Sequence, residues 1–161
     1  MTDIASDMHP HSPIRATLSP STRLLAATVA FACLAALGVA AFLRPDPRGI
    51  GTHRQLGLAA CQFHARTGIP CPTCGVTTSF AHLARGQIFA SLYVQPLGTV
   101  LGLACIVAFW LAAHMAVSGR AAPGLLRRFS AGWWITAAMA LVILAWMWKI
   151  LIRVGGIDGT A

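Results

Sequence analysis

Cys71-Pro72-Thr73-Cys74-Gly75 carries the densest chemistry in the chain, two thiols separated by two residues and followed by a glycine. Ten residues earlier, Cys61-x-x-His64 repeats the same spacing. Two thiolates at that spacing grip one tetrahedral ion, with Zn–S bonds of about 2.3 Å. Cys61, His64, Cys71 and Cys74 thus make a complete Cys3His set, and zinc is the candidate metal. Gly68 and Pro70, between the two pairs, suit a turn that folds one pair onto the other. Gly75 can take positive φ, which lets backbone amides turn toward the sulfurs.

The same residues read equally as a thiol–disulfide pair. Pro72 suits the first turn of a helix, which would put Cys71 near the N-cap, where the helix dipole lowers a thiol pKa. Cys71 would then attack, Cys74 resolve, and Cys61 exchange with a partner. Gly75 speaks against a helix-borne pair, since glycine inside a helix costs about 1 kcal/mol relative to alanine. In an oxidising compartment the pair is simply a structural disulfide. Spacing alone leaves zinc, disulfide and reactive thiols open.

Other candidates are weaker. His82 lies eight residues beyond Cys74, roughly 12 Å along a helix, too far to share its ion. His82 shares a helix face with Thr78 and reads as packed or interfacial, as does His114 near the end of an apolar run. Thr77, Thr78 and Ser79 have no base to activate them and are expected to satisfy backbone groups at a helix start. Cys33 and Cys105 sit inside apolar runs as small hydrophobes.

Composition says where these residues work. Of 161 residues, 57% are hydrophobic and 10% charged, against roughly 25% charged in a soluble domain; mean hydropathy is +0.69. The chain belongs in a lipid bilayer. Its net charge of +8 comes from eleven scattered arginines and one lysine. No basic stripe interleaves with aromatics, so nucleic acid is not an expected partner, and the arginines set topology and meet anionic lipid heads. There is no glutamate, and Asp3, Asp7, Asp46 and Asp158 all lie outside the apolar runs. Paired-carboxylate catalysis and an intramembrane carboxylate relay are therefore excluded.

Residues 1–20 read as a disordered tail, with His9 and His11 solvated, and residues 21–161 as one membrane domain. Three apolar stretches, about 24–43, 96–117 and 133–152, are each long enough to cross roughly 30 Å of hydrocarbon. The first is bracketed by Arg23 and Arg44 and is long for a cleavable leader. The second opens on Pro96 and carries Gly98 and Gly102, a spacing that allows close helix contact. The third has Trp133 and Trp134 at one end and Trp146 and Trp148 at the other, an aromatic belt, with Lys149 expected to snorkel to the head groups. Between the first two spans lie a loop with one short helix near 54–63 and two short helices at 76–84 and 88–94. The last two, within the motif segment 58–95, are too short to span and read as interfacial or re-entrant.

Cys61, nine residues, CPTCGVTTSFAHLARG, an apolar patch and Gln95-Pro96-Leu97 entering a span resemble the bacterial domain-of-unknown-function family numbered 2752. Its pattern is a cysteine, then C-P-x-C-G-x-T-R, a turn ending in glycine, and N-P-L before the next span. Thr78 stands where that pattern has arginine, and Gln95 where it has asparagine; His64 lies outside the pattern. The resemblance implies small polytopic membrane proteins and supplies no activity.

The sequence therefore predicts an all-α integral membrane protein, with three spans and a short interfacial or re-entrant element carrying the cysteines. The expected role is non-enzymatic, a structural or accessory part of a membrane complex, clamped by zinc or a disulfide. The alternatives are a membrane thiol–disulfide oxidoreductase using Cys71, Cys74 and Cys61 and, more weakly, metal handling. Expected partners are the lipid bilayer and a membrane protein. The dense arginines of the 118–131 loop put it and the N-terminus in the cytoplasm of a bacterium, and the cysteine segment outside the inner membrane.

Overall fold

The structure is a computed structural model that describes residues 18–121 and 131–154. His9, His11, Arg127 and Arg128 lie outside the described residues, as does most of the loop before the last span. Among the described residues there is no β-strand, and three helices are long and apolar enough to cross a membrane.

Helix α1 (Pro20–Phe42) starts where Ser19 Oγ accepts the Thr22 amide at 3.3 Å, with Pro20 in the first turn. Its small face, Ala26, Ala30 and Ala40, is buried, as expected where helices approach closely in lipid. It packs antiparallel on α5 (Pro96–Ser118). The pairing is fixed at one end by Arg23, whose guanidinium donates to Ala116 O at 3.1 and 3.0 Å and to Val117 O at 3.4 Å. A cation on the last carbonyls of a helix satisfies orphan acceptors and complements the dipole. The Leu18 amide reaches Gly119 O at the same place, 2.8 Å away.

The segment between these spans folds on their opposite end. A 3-10 turn (Thr52–Leu56) and α2 (Gln62–Thr67) replace the single helix expected near 54–63, because Gly57 at φ +75° breaks the chain between them. Then follow α3 (Val76–Leu83) and α4 (Ile88–Val94), turned on Gly86 at φ +73°. At about 12 and 10 Å long, neither can cross the bilayer.

Gly98 and Gly102 of α5 face α3 rather than another span. A Cβ on Gly98 would come within 2.7 Å of Ser79 Cβ, and one on Gly102 would strike Leu83. That close approach brings Ser79, Ser91 and Thr99 into one buried hydroxyl triangle with edges of 2.7, 2.8 and 3.1 Å. Ser79 Oγ also reaches the carbonyls of Ser91 and Gln95.

Helix α6 (Ala131–Val154) touches α5 lightly and is attached through its C-terminal turns. Trp146 Nε1 donates to Pro70 O at 2.9 Å, and Trp148 Nε1 to Tyr93 O at 3.0 Å. Lys149 does not snorkel. It is 1% exposed, and its Nζ donates to Val94 O at 3.0 Å and Gly49 O at 3.3 Å. The last turns of α6 lie against the 44–51 loop and the end of α4, and one carbonyl from each takes the ammonium. The Trp146 and Trp148 indoles likewise bond to protein, although Trp148 stays as exposed as Trp134. Each contact also places the C-terminal end of α6 on the side of the cysteine segment, as an odd number of spans requires.

Candidate metal and thiol site

The cysteine turn is built by local hydrogen bonds. The Cys74 amide donates to Cys71 O at 3.0 Å and the Val76 amide to Thr73 O at 3.2 Å. The helix begins after the motif, so Gly75, at φ +94°, is the N-cap of α3 and Cys71 is not. Glycine is demanded twice over here. An L side chain rarely adopts that φ, and a Cβ would lie 2.7 Å from Gly49 O and 3.4 Å from Lys149 Nζ. From beneath, Gln95 Nε2 holds Pro72 O at 2.7 Å, and Trp146 holds Pro70 O. The start of α5 and the end of α6 thus grip the turn on either side of Cys71.

Cys61, at the N-cap of α2, closes the cluster. The sulfurs of Cys61, Cys71 and Cys74 all lie within 4.8 Å of one another, with Cys71 Sγ and Cys74 Sγ 3.1 Å apart. All five cysteines are free. The two thiols of the CPTC turn differ. Burial pushes the Cys71 thiol up, but hydrogen bonds from the Thr73 hydroxyl, from Cys74 and Cys61, and from the Thr73 amide outweigh it and leave its pKa below the ordinary value. Burial, reinforced by neighbouring Cys71, pushes Cys74 up to about 12. The Cys71 amide also points at Cys74 Sγ, so the turn aims backbone donors at both sulfurs, from residues ahead of Gly75 rather than through its positive φ.

A cavity of about 460 Å³ opens beside the cluster. The cysteines form one side of it, and Arg48, His53 and Arg54, from the loop and the 3-10 turn, line another; among the described residues no carboxylate lines it. The 3-10 turn is held there by Thr52, fully buried, whose Oγ1 lies 2.8 Å from Thr78 Oγ1 and accepts the Asp46 amide at 3.0 Å. Arg48 is paired with Asp46 at 3.0 Å and holds that carboxyl below the usual carboxylate range.

Of the four expected ligands, the structure brings three together. His64 lines the same cavity but lies outside the 4.8 Å group, and its Nδ1 is buried without a hydrogen-bond partner among the described residues. Thr78 and Ser79 do not serve the start of their own helix; each bonds to a distant element. His82 is packed, its Nδ1 2.7 Å from Gln87 Oε1, and His114 is exposed far along α5. Cys33 and Cys105, read as separate hydrophobes, meet across α1 and α5 with their sulfurs 3.8 Å apart.

Residues 61–109 match the model of a family of proteins of unknown function, DUF2752. That is the family expected from the sequence. The DUF2752 segment takes in all three clustered thiols, α3, α4 and the first half of α5. No curated protein and no solved structure matches the chain.

Sequence reasoning missed Thr52, Gln95, Trp146 and Lys149 as supports of the site. One signal was available: Ser91, Gln95 and Thr99 recur every fourth residue through an otherwise apolar stretch, a polar stripe on one helical face. Thr52 and Lys149 carry no such signal, because their partners are 26 and 100 residues away.

Proposed function

We propose that this is a small integral membrane protein of a bacterial inner membrane, a structural or accessory component of a membrane complex. Its cysteine cluster is a clamp closed by a metal ion, zinc being the metal that suits thiolate ligands. The observation that carries this reading is the convergence of Cys61, Cys71 and Cys74 within 4.8 Å. Tetrahedral zinc sets its sulfurs about 3.8 Å apart, a spacing bracketed by the 3.1 Å between Cys71 and Cys74 and the 4.8 Å limit of the group. Such an ion would join the start of α2 to the turn before α3. His64, the fourth ligand expected from the spacing, lines the cavity beside that ion. The N-terminus faces the cytoplasm and the clamp the outside, and the clamped surface meets a membrane partner protein.

The test is metal content and thiol count on protein purified in mild detergent without chelator, with free thiols alkylated at lysis. About one zinc per chain is expected, with the three clustered thiols released only by denaturation in chelator. Cys71→Ser should lose the metal and lower the melting temperature. Metal-free wild-type protein that melts like the variant would overturn the clamp.

The unequal thiols favour a second reading, thiol–disulfide exchange. The Cys71 thiolate would attack a partner disulfide to form a mixed disulfide and release one partner thiol. Cys74 would then displace the other as its thiolate, leaving Cys71–Cys74 oxidised and the partner reduced. Cys74→Ser should trap the mixed disulfide; a trap that captures nothing in membranes rules this reading out.

A further inference from the structure

We infer that the clamp is open on one side: the fourth position of its metal faces the 460 Å³ cavity and takes a small exogenous anion, a carboxylate-bearing thiol, whose carboxylate pairs with Arg54. This rests on the metal reading above.

Three observations carry it. The first is ligand supply. Among the described residues three side-chain ligands converge, and His64, the fourth expected one, is outside the group. A zinc held by three protein ligands keeps its fourth position for solvent or substrate. The second is the space. A metal ion alone needs no cavity, whereas about 460 Å³ falls in the range of small-molecule sites, and Ile50, Ala60 and Val76 give part of its lining an apolar character. The third is charge. Arg48 is already paired with Asp46, but the Arg54 side chain makes no hydrogen bond among the described residues. Among the described residues no acid lines the wall, and the one carboxylate that acts on Arg54, Asp46, is shared with Arg48, so the two guanidiniums leave a net positive charge. Three thiolates on a divalent ion carry one net negative charge, so a cation beside the open position favours the approach of a further anion; Arg54 is that cation. The buried, unpartnered His64 Nδ1 on the same wall is then a hydrogen-bonding group for the ligand.

The experiment uses full-length protein in mild detergent, reconstituted with Co²⁺ in place of zinc, and mercaptoacetate as the probe. Absorption in the visible region reports the cobalt coordination sphere, and cobalt content is measured in parallel. The expected result is a saturable spectral shift with cobalt retained. Arg54→Gln should raise the half-saturating mercaptoacetate concentration roughly tenfold, the loss of one charge-assisted contact, without changing cobalt affinity. An unmoved spectrum with cobalt bound overturns the open position and leaves the metal reading standing. In that case His64→Ala should shift the spectrum by itself, identifying His64 as the fourth ligand. Removal of cobalt by the probe also overturns it, and failure to bind cobalt at all sinks both readings.

Discussion

Cys71 and Cys74 differ in chemistry although only two residues separate them. Cys71 accepts several hydrogen bonds and titrates below the ordinary thiol value, while burial holds Cys74 as a neutral thiol to about pH 12. In metal-free protein, iodoacetamide should therefore alkylate Cys71 at mildly alkaline pH and leave Cys74 intact, as peptide mass spectrometry would show. Equal modification of the two would contradict the geometry. The two shifts act oppositely on stability. Cys71, with a lowered folded pKa, contributes above its ordinary value and loses that contribution as pH falls through its folded one. Cys74, with a raised pKa, contributes below about 9 and loses that contribution as pH rises toward 12. Gly75→Ala tests the turn itself. It demands a disfavoured φ and drives a Cβ against Gly49 O, so it should cost about 1–3 kcal/mol in thermal unfolding and weaken metal retention with it.

The elements were legible to different degrees. The three spans and helices α3 and α4 stand close to their expected bounds, because long apolar runs, Pro96 and Gly86 mark them in the chain itself. The cysteine cluster was legible as spacing, but His64 was not separable from it, since a six-residue connection can turn in more than one direction. What holds the elements together was hidden. Lys149, with its partners Gly49 O and Val94 O, reads in sequence as an interfacial lysine, and only the fold reveals it as a buried donor. Lys149→Met keeps the length and apolar stem but leaves those carbonyls unpaired, at roughly 1–3 kcal/mol each. The variant should melt earlier and lose metal more readily, with α6 still inserted; an unaltered melting curve would show that α6 docks without it. Ser79→Ala should likewise cost about 1–3 kcal/mol by opening the hydroxyl triangle between α3, α4 and α5.

At the scale of the whole molecule, α1 and α5 form the rigid pair, Arg23 ties one of its ends, and the cysteine segment covers the other. The proximity of Cys33 and Cys105 tests the register of that pair. Iodine oxidation in membranes should join them, shifting migration on a non-reducing gel, and Cys33→Ser should abolish the shift. No cross-link under conditions that oxidise a surface thiol pair would argue against a 3.8 Å separation. Scattered arginines gave the expected orientation only through their density, so a membrane-impermeant maleimide applied to intact spheroplasts is the direct measure. Labelling of Cys61 from outside, in protein stripped of metal, is the expected result.

The grip of Trp146 on Pro70 and of Lys149 on Gly49 has a consequence for biosynthesis. A ribosome delivers Cys61, Cys71 and Cys74 well before α6 exists, so the nascent chain holds three thiols on a turn whose supports have not yet been made. Only when the last span enters the bilayer do the indole and the ammonium arrive. Completion of the thiol site is thereby a record that the third span has been inserted.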